Sequence, residues 1–317
     1  NEWGLATPKF YELQKMMAKY NDGKKLPAVP KAPMAIIKVP EFKFTEYKPL
    51  SYGIAKEKES NTPLSFEDMD MGWGTMVYET QVPAIEGTST LTGEFHDFAQ
   101  VYVNGKYVGK IDRVKNEKSL ELPAMPQGAQ LTIVVEGMGR INFGRAIKDY
   151  KGIIGNVTLS TQKQDCELAL TPTRWNNSTI ADDYQTAVNA LAMPTNKMRG
   201  LQTKAGYYRG YFNIKKVGDT FINMEAFGKG QVYVNGHALG RFWQIGPQQT
   251  LYLPGCWLKK GKNEVIVLDV VGPKGEAGKP GSNVAPTAFC QDHPELDKLN
   301  LEKSNKHNDP GHRMDLN

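Results

Sequence analysis

Histidine is scarce in these 317 residues: His96, His237, His293, His307 and His312 are all there are. None forms an HExxH motif or an i,i+4 pair, so no catalytic metal set is legible. Cysteine is scarcer still. Cys166, Cys256 and Cys290 are far apart and odd in number, which argues against a disulfide framework or a CxxC metal site. They read as small apolar residues. No run of about 18 apolar residues exists, so no segment reads as a membrane-spanning helix. No signal peptide is visible either, and because the chain starts at Asn1 rather than Met that absence does not assign a compartment. There is no GxSxG elbow and no glycine-rich phosphate loop after a strand. The net charge of +5 comes from lysines scattered among acids, not from the concentrated basic face that nucleic-acid partners require. No cofactor is expected.

What the chain does have is turn chemistry. Thirty-one glycines and nineteen prolines punctuate short β-branched and aromatic runs, the pattern of many short strands. The length suits about two domains. The first segment is different, with apolar residues at Phe10, Leu13, Met16, Met17 and Tyr20 at helical spacing. Thr7 is placed as N-cap and Pro8 opens the helix. Asn21-Asp22-Gly23 ends it, and Pro27, Pro30 and Pro33 read as a stiff linker.

From about Ile36 onward the text reads as strands and turns, and within it lies an internal repeat. Gln100-Val101-Tyr102-Val103-Asn104-Gly105 recurs identically as Gln231-Val232-Tyr233-Val234-Asn235-Gly236. At the same displacement Gly109 matches Gly240, and Leu120-x-Leu122-Pro123 matches Leu251-x-Leu253-Pro254. The period is that of a whole domain rather than a solenoid unit. Each copy is an alternating strand entering an Asn-Gly hairpin turn. The expectation is an all-β chain of two jelly-roll sandwiches. Asp165 to Lys204 reads as a long connection with room for one strand, Gly272 to Gly281 as a loop, and the tail after Pro294 as peripheral.

The acidic clusters Glu67-Asp68-x-Asp70 and Asp182-Asp183 read as solvated loop charge. No pair of carboxylates suited to a glycosidase can be nominated. Sugar binding needs an aromatic face and groups that bond vicinal hydroxyls. The 240–249 segment supplies Arg241, Trp243 and Gln248 together, and Trp73 lies between two glycines. The alternative for these residues is structural: Arg241 bridging domains and Trp243 filling the core.

Gly206-Tyr207-Tyr208-Arg209-Gly210-Tyr211-Phe212, Gly240-Arg241-Phe242-Trp243-x-Ile245-Gly246-Pro247-Gln248 and Leu253-Pro254-x-Cys256-Trp257-Leu258 resemble the galactose-binding-like domain of glycoside hydrolase family 35 β-galactosidases. Gly72-Trp73-Gly74-Thr75-x-x-Tyr78 and Gly139-Arg140-Ile141-Asn142-Phe143-Gly144 look like the same family. Glu2-Trp3-Gly4-Leu5-x-x-Pro8-Lys9 is similar to the segment that closes its catalytic (β/α)8 barrel.

The resemblance implies a division of the chain. Residues 1–25 would be the last helix of an absent barrel and 26–52 a linker with a possible strand. The first sandwich would span 53–165, a connection and the second sandwich 166–272, and a tail 273–317. It further implies that the barrel carries the two glutamates of a retaining mechanism. Glu2 is rejected as either of them. A loop around Arg140 to Gly152, with Arg140, Asn142 and Phe143, would approach the barrel mouth. Family members commonly have Tyr at the position of Phe143, so a hydroxyl contact is lost there. The expected role is the non-catalytic region of a secreted or periplasmic β-galactosidase, scaffolding its barrel and shaping outer subsites for terminal β-galactosides. The alternative is a free-standing galactoside-binding, lectin-like module.

Overall fold

A computed structural model describes residues 1, 4–29, 31, 34–163, 166–194 and 203–296. Glu2, Trp3, Pro30, Pro33, His307, His312 and the tail beyond 296 lie outside the described residues. Helix α1 (Pro8–Ala18) has Thr7 as its N-cap, and the Thr7 hydroxyl accepts from the Phe10 amide at 3.4 Å. None of its side chains is buried.

Strand β1 (Val39–Pro49) comes first, followed by β2 (Ile54–Ser60), β3 (Gly74–Val82) and β4 (Ser89–His96). Next are β5 (Phe98–Val103), β6 (Lys106–Asp112), β7 (Ser119–Leu122), β8 (Ala129–Gly137) and β9 (Gly152–Lys163). After β10 (Cys166–Leu170) and β11 (Trp175–Ile180) comes helix α2 (Tyr184–Ala192). The chain then forms β12 (Gly206–Ile214), β13 (Thr220–Asn223), β14 (Lys229–Val234) and β15 (His237–Trp243). It closes with β16 (Thr250–Leu253), β17 (Gly261–Asp269) and β18 (Thr287–Gln291).

In the first sandwich a six-stranded sheet, β2-β11-β3-β8-β5-β6, faces a four-stranded one, β10-β9-β4-β7. Met76, Tyr78, Val101, Ile133, Leu159 and Trp175 are among the residues packed between them. The second sandwich is a single sheet, β15-β14-β17-β12-β1-β18-β13-β16, folded over on itself. β1 makes the fold. It pairs with β12 through its second half and with β18 through its first, and register shifts between Val39 and Phe42 and between Phe44 and Glu46 let it curve.

Three segments therefore differ from the division expected from sequence. The 26–52 stretch holds β1, a central strand of the second sandwich, whose apolar Val39, Phe42 and Phe44 are buried despite the prolines around them. The 166–180 stretch supplies β10 and β11 to the first sandwich, and β11 lies between β2 and β3. Its text Trp175-Asn176-Asn177-Ser178-Thr179 hides the strand because Asn177 and Ser178 are buried polar residues. The Asn177 amide donates to Lys58 O at 2.9 Å and Ser60 Oγ at 2.8 Å, which meets its burial cost. In the expected tail, Thr287–Gln291 is β18.

Strand alternation explains the repeated hexapeptide. Val101 and Val103 point into one core, and Val232 and Val234 into the other. Tyr102 and Tyr233 point outward and meet in a third apolar cluster between the sandwiches, with Val77, Tyr207, Ile266 and Leu191 of α2. Gln100 donates across this joint to Val270 O at 2.6 Å. Both Asn-Gly turns take positive φ at both central residues: 48° and 75° at Asn104-Gly105, and 49° and 89° at Asn235-Gly236.

Charge is also buried at the joint. Lys229, whose side chain is 5 % exposed, pairs with Glu136 of β8. Its ammonium lies 4.4 Å from the Trp243 ring centroid. Such a pair is costly to break on one side and cheap to remove entirely. Lys229→Met should therefore destabilise the chain, by at most roughly 3–5 kcal/mol because Arg241 still faces Glu136, and adding Glu136→Leu should recover most of that loss. Urea denaturation, read from the midpoint at constant slope, checks both. Equal losses in the single and double variants would contradict this account of the joint.

Candidate functional site

The candidate residues gather around the end of β8. Arg140 follows that strand by three residues, and its guanidinium reaches back to pair with Glu67. It also donates to Gly72 O at 2.9 Å and Asp149 O at 2.9 Å. One side chain thus ties the Gly72-Trp73 turn to the 138–151 loop. Trp73 is 66 % exposed and Phe143 is 88 % exposed, with Tyr150 and Ile147 also open. Asn142 is exposed beside Phe143.

A largely buried charge network braces the same loop. Asp97 accepts from Arg113 at 2.6 Å, Lys151 at 2.7 Å and the Met138 amide at 2.6 Å. Asp149 accepts from Arg113 and Lys151, each at 2.7 Å, and from the Ile141 amide at 3.2 Å. Two cations and two carboxylates so pin both ends of the loop. Burial alone would raise the Asp149 carboxyl, but the hydrogen bonds from Lys151 and Arg113 win and hold it at about 2. Asp97, Asp149 and Glu67 are each held by a cation or a backbone amide, so they support the loop and do not form a free acid–base pair.

In the two acidic clusters Asp68, Asp70 and Asp183 are exposed, as expected of solvated charge, but Glu67 and Asp182 are engaged by distant partners. Glu67 bonds Arg140 and the Lys151 amide. Asp182 is buried against Arg241, and Asp183 caps α2 by accepting from the Thr186 amide at 2.8 Å. Burial pushes the Asp182 carboxyl up to about 6 against the attraction of Arg241. Glu67 and Asp182 looked like loop charge because their partners lie up to 84 residues away.

Arg241 and Trp243 are engaged at the joint. Arg241 bonds Glu136 and Asp182, each at 3.2 Å, and Trp243 meets Phe98 edge-on at 5.6 Å. Arg241 thus bridges domains, the structural alternative considered for it. Gln248 is exposed and forms an isolated bridge with Leu296, apart from the Trp73–Arg140 corner. Lys151, Asp97, Asp149 and Arg113 carried no sequence signal. Each is an ordinary charged residue until the topology brings three segments together.

Asp149 gives a pH signature. Its stabilisation is fully present above the unfolded carboxyl value of about 3.9 and is lost as pH falls through about 2. Asp149→Asn should cost roughly 2–3 kcal/mol at neutral pH, and the gap to the parent should shrink as pH falls through that window. Denaturation midpoints over a pH series measure it. A gap that stays constant would exclude Asp149 as the source.

Residues 63–167 match the family model described as β-galactosidase, first all-beta domain, and residues 205–263 match β-galactosidase, galactose-binding domain. Beta-galactosidase 1 of Dictyostelium discoideum is 26% identical over 298 residues, covering 86% of this chain and 43% of its own length. Beta-galactosidase-1-like protein 3 of Rattus norvegicus is 32% identical over 296 residues, 86% of this chain and 42% of its own length. Beta-galactosidase-1-like protein 2 of Homo sapiens is 31% identical over 259 residues, 78% of this chain and 38% of its own length. The chain spans about two fifths of the length of these relatives. Among solved structures, a Pleurotus ostreatus lectin overlaps 81% of this chain and 82% of its own at a TM-score of 0.27 and 13% identity, too loosely to support an argument. The matched models fall on the two sandwiches, and the chain belongs to the β-galactosidase family, whose first all-beta and galactose-binding domains it carries.

Proposed function

We propose that this chain is the non-catalytic β-domain region of a secreted or periplasmic β-galactosidase. In this reading it scaffolds the catalytic barrel of the same protein and shapes the outer subsites for terminal β-galactosides. The observation that carries the reading is α1. Phe10, Leu13, Met16, Met17 and Tyr20 all stay exposed, Tyr20 by 82 %, and each apolar side chain left in water forgoes about 1.5–3 kcal/mol. An amphipathic helix with no covered face calls for a further apolar surface, and a barrel supplies one. A free-standing lectin-like module has no use for such a helix.

The Trp73–Phe143 corner fits the second half of the role. Exposed aromatic rings on a braced loop suit the wall of a sugar cleft, since a ring face stacks on a pyranose without needing a charge. Phe143 offers stacking alone, having no hydroxyl to bond a sugar. The two glutamates of a retaining mechanism would then belong to the barrel.

Two outcomes test this. Incubated with a chromogenic β-galactoside, the chain alone should release no product. Turnover that disappears when one of its own carboxylates is substituted would overturn the reading. In hydrogen exchange, amides of Pro8–Ala18 should exchange far faster than those of β17, and adding a relative's barrel in trans should slow them. Full protection of the helix in the isolated chain would assign it to the sandwiches instead.

A further inference from the structure

The two copies of the repeat differ at the end of each sandwich beside the Asn-Gly hairpin. In the second copy that end is plugged. The Trp257 ring stacks on His237 with centroids 4.7 Å apart and planes 12° apart. The Asn235 amide holds the plug, donating to Trp257 O at 2.8 Å and to Asn263 Oδ1 at 2.8 Å. Asn235 Oδ1 accepts from the Glu264 amide at 2.9 Å.

The first copy keeps the socket and lacks the plug. Asn104 Oδ1 accepts from the Gln130 amide at 2.9 Å, as its counterpart does, but its amide nitrogen has no acceptor among the described residues. Lys106 stands where His237 does. After Leu122-Pro123, the counterpart of Leu253-Pro254, the chain turns inward through Met125, which is buried and bridges to Ile85. No aromatic ring follows to fill the space. What is left is a groove of about 720 Å³. Val103, Val108 and Leu122 form its apolar floor, and Asn104, Lys106, Tyr107 and Glu121 stand at its rim. Tyr107 is 47 % exposed and is braced edge-on against Tyr102 at 5.6 Å.

We propose that this groove is a carbohydrate subsite in the first sandwich that takes a neutral hexopyranose. The second copy shows that the socket accepts a flat ring. The rim of the first copy sets the chemistry of that ring's edge. A pyranose carries an apolar face ringed by hydroxyls that both donate and accept. The Asn104 amide and Lys106 ammonium donate, and the Glu121 carboxylate accepts. An aromatic side chain of a protein would leave most of that rim without partners. The site is distinct from the Trp73–Phe143 corner, so its failure would leave the proposed role of that corner standing.

Titration of the isotope-labelled chain by NMR tests the proposal, with methyl β-galactoside, methyl β-glucoside and N-acetyltryptophanamide as probes. A glycoside should give saturable shifts in residues 103–108 and 121–123. The affinity should be millimolar, because neutral hydrogen bonds gain little over water and association costs rigid-body freedom. Asn104→Asp keeps the acceptor and the left-handed turn while removing the donor, and Glu121→Gln removes the charge. Each should weaken binding roughly tenfold while amides of the second sandwich keep their positions. Groove shifts with the tryptophan derivative alone would overturn the proposal in favour of a ring from a polypeptide. Glycoside shifts confined to residues 72–73 and 138–151, or no saturable shift with either glycoside, would overturn it outright.

Discussion

Lys229 keeps a charged nitrogen in almost dry surroundings, and the placement of the two sandwiches follows from how that charge is satisfied. An ammonium removed from water must find an anion at short range. Glu136 is that anion, and it belongs to the other sandwich. Phe98 and Trp243 add ring faces near the same nitrogen, and Arg241 shares Glu136 while reaching Asp182. Apolar contacts such as Tyr102, Tyr233 and Ile266 supply area between the sheets but little direction. The ion pairs supply the direction. Glu136 and Gly137 end β8, so the loop that carries Arg140 and Phe143 starts from the point where the sandwiches are fastened.

Much of this fold was legible in the sequence. The identical hexapeptides gave away two equivalent hairpins, because alternation and the Asn-Gly turn are local properties. Thr7 and Pro8 marked the start of α1 for the same reason. The text was silent where burial depends on distant partners. The 26–52 stretch read as a linker with a possible strand, and nothing local places β1 in the second sandwich because its neighbours β12 and β18 lie far along the chain; β11 hid behind buried asparagine and serine. Of the candidate site, Trp73 and Arg140 could each be picked out, but nothing in the sequence says that Arg140 binds the carbonyl before Trp73. Residue type marked Arg241 and Trp243 as ready for sugar. Their actual partners, Glu136, Asp182 and Phe98, emerge only from the packing of one sandwich on the other.

The path of β1 has a consequence for how the chain comes to be folded. This strand precedes the whole first sandwich, yet its hydrogen-bonding neighbours come after it, so the first sandwich is nested inside the second. Glu41 and Thr287, bonded side chain to side chain, are 246 residues apart in sequence. During synthesis from the N-terminus, residues 54–180 can collapse as a self-contained unit while β1 is still without a mate. An unpaired strand edge is the most association-prone surface a nascent chain presents, and Val39, Phe42 and Phe44 lie on it. Contacts this distant in sequence are also slow to form. The exposed early strand, more than the large finished sandwiches, is where crowding and temperature would decide the yield of native protein.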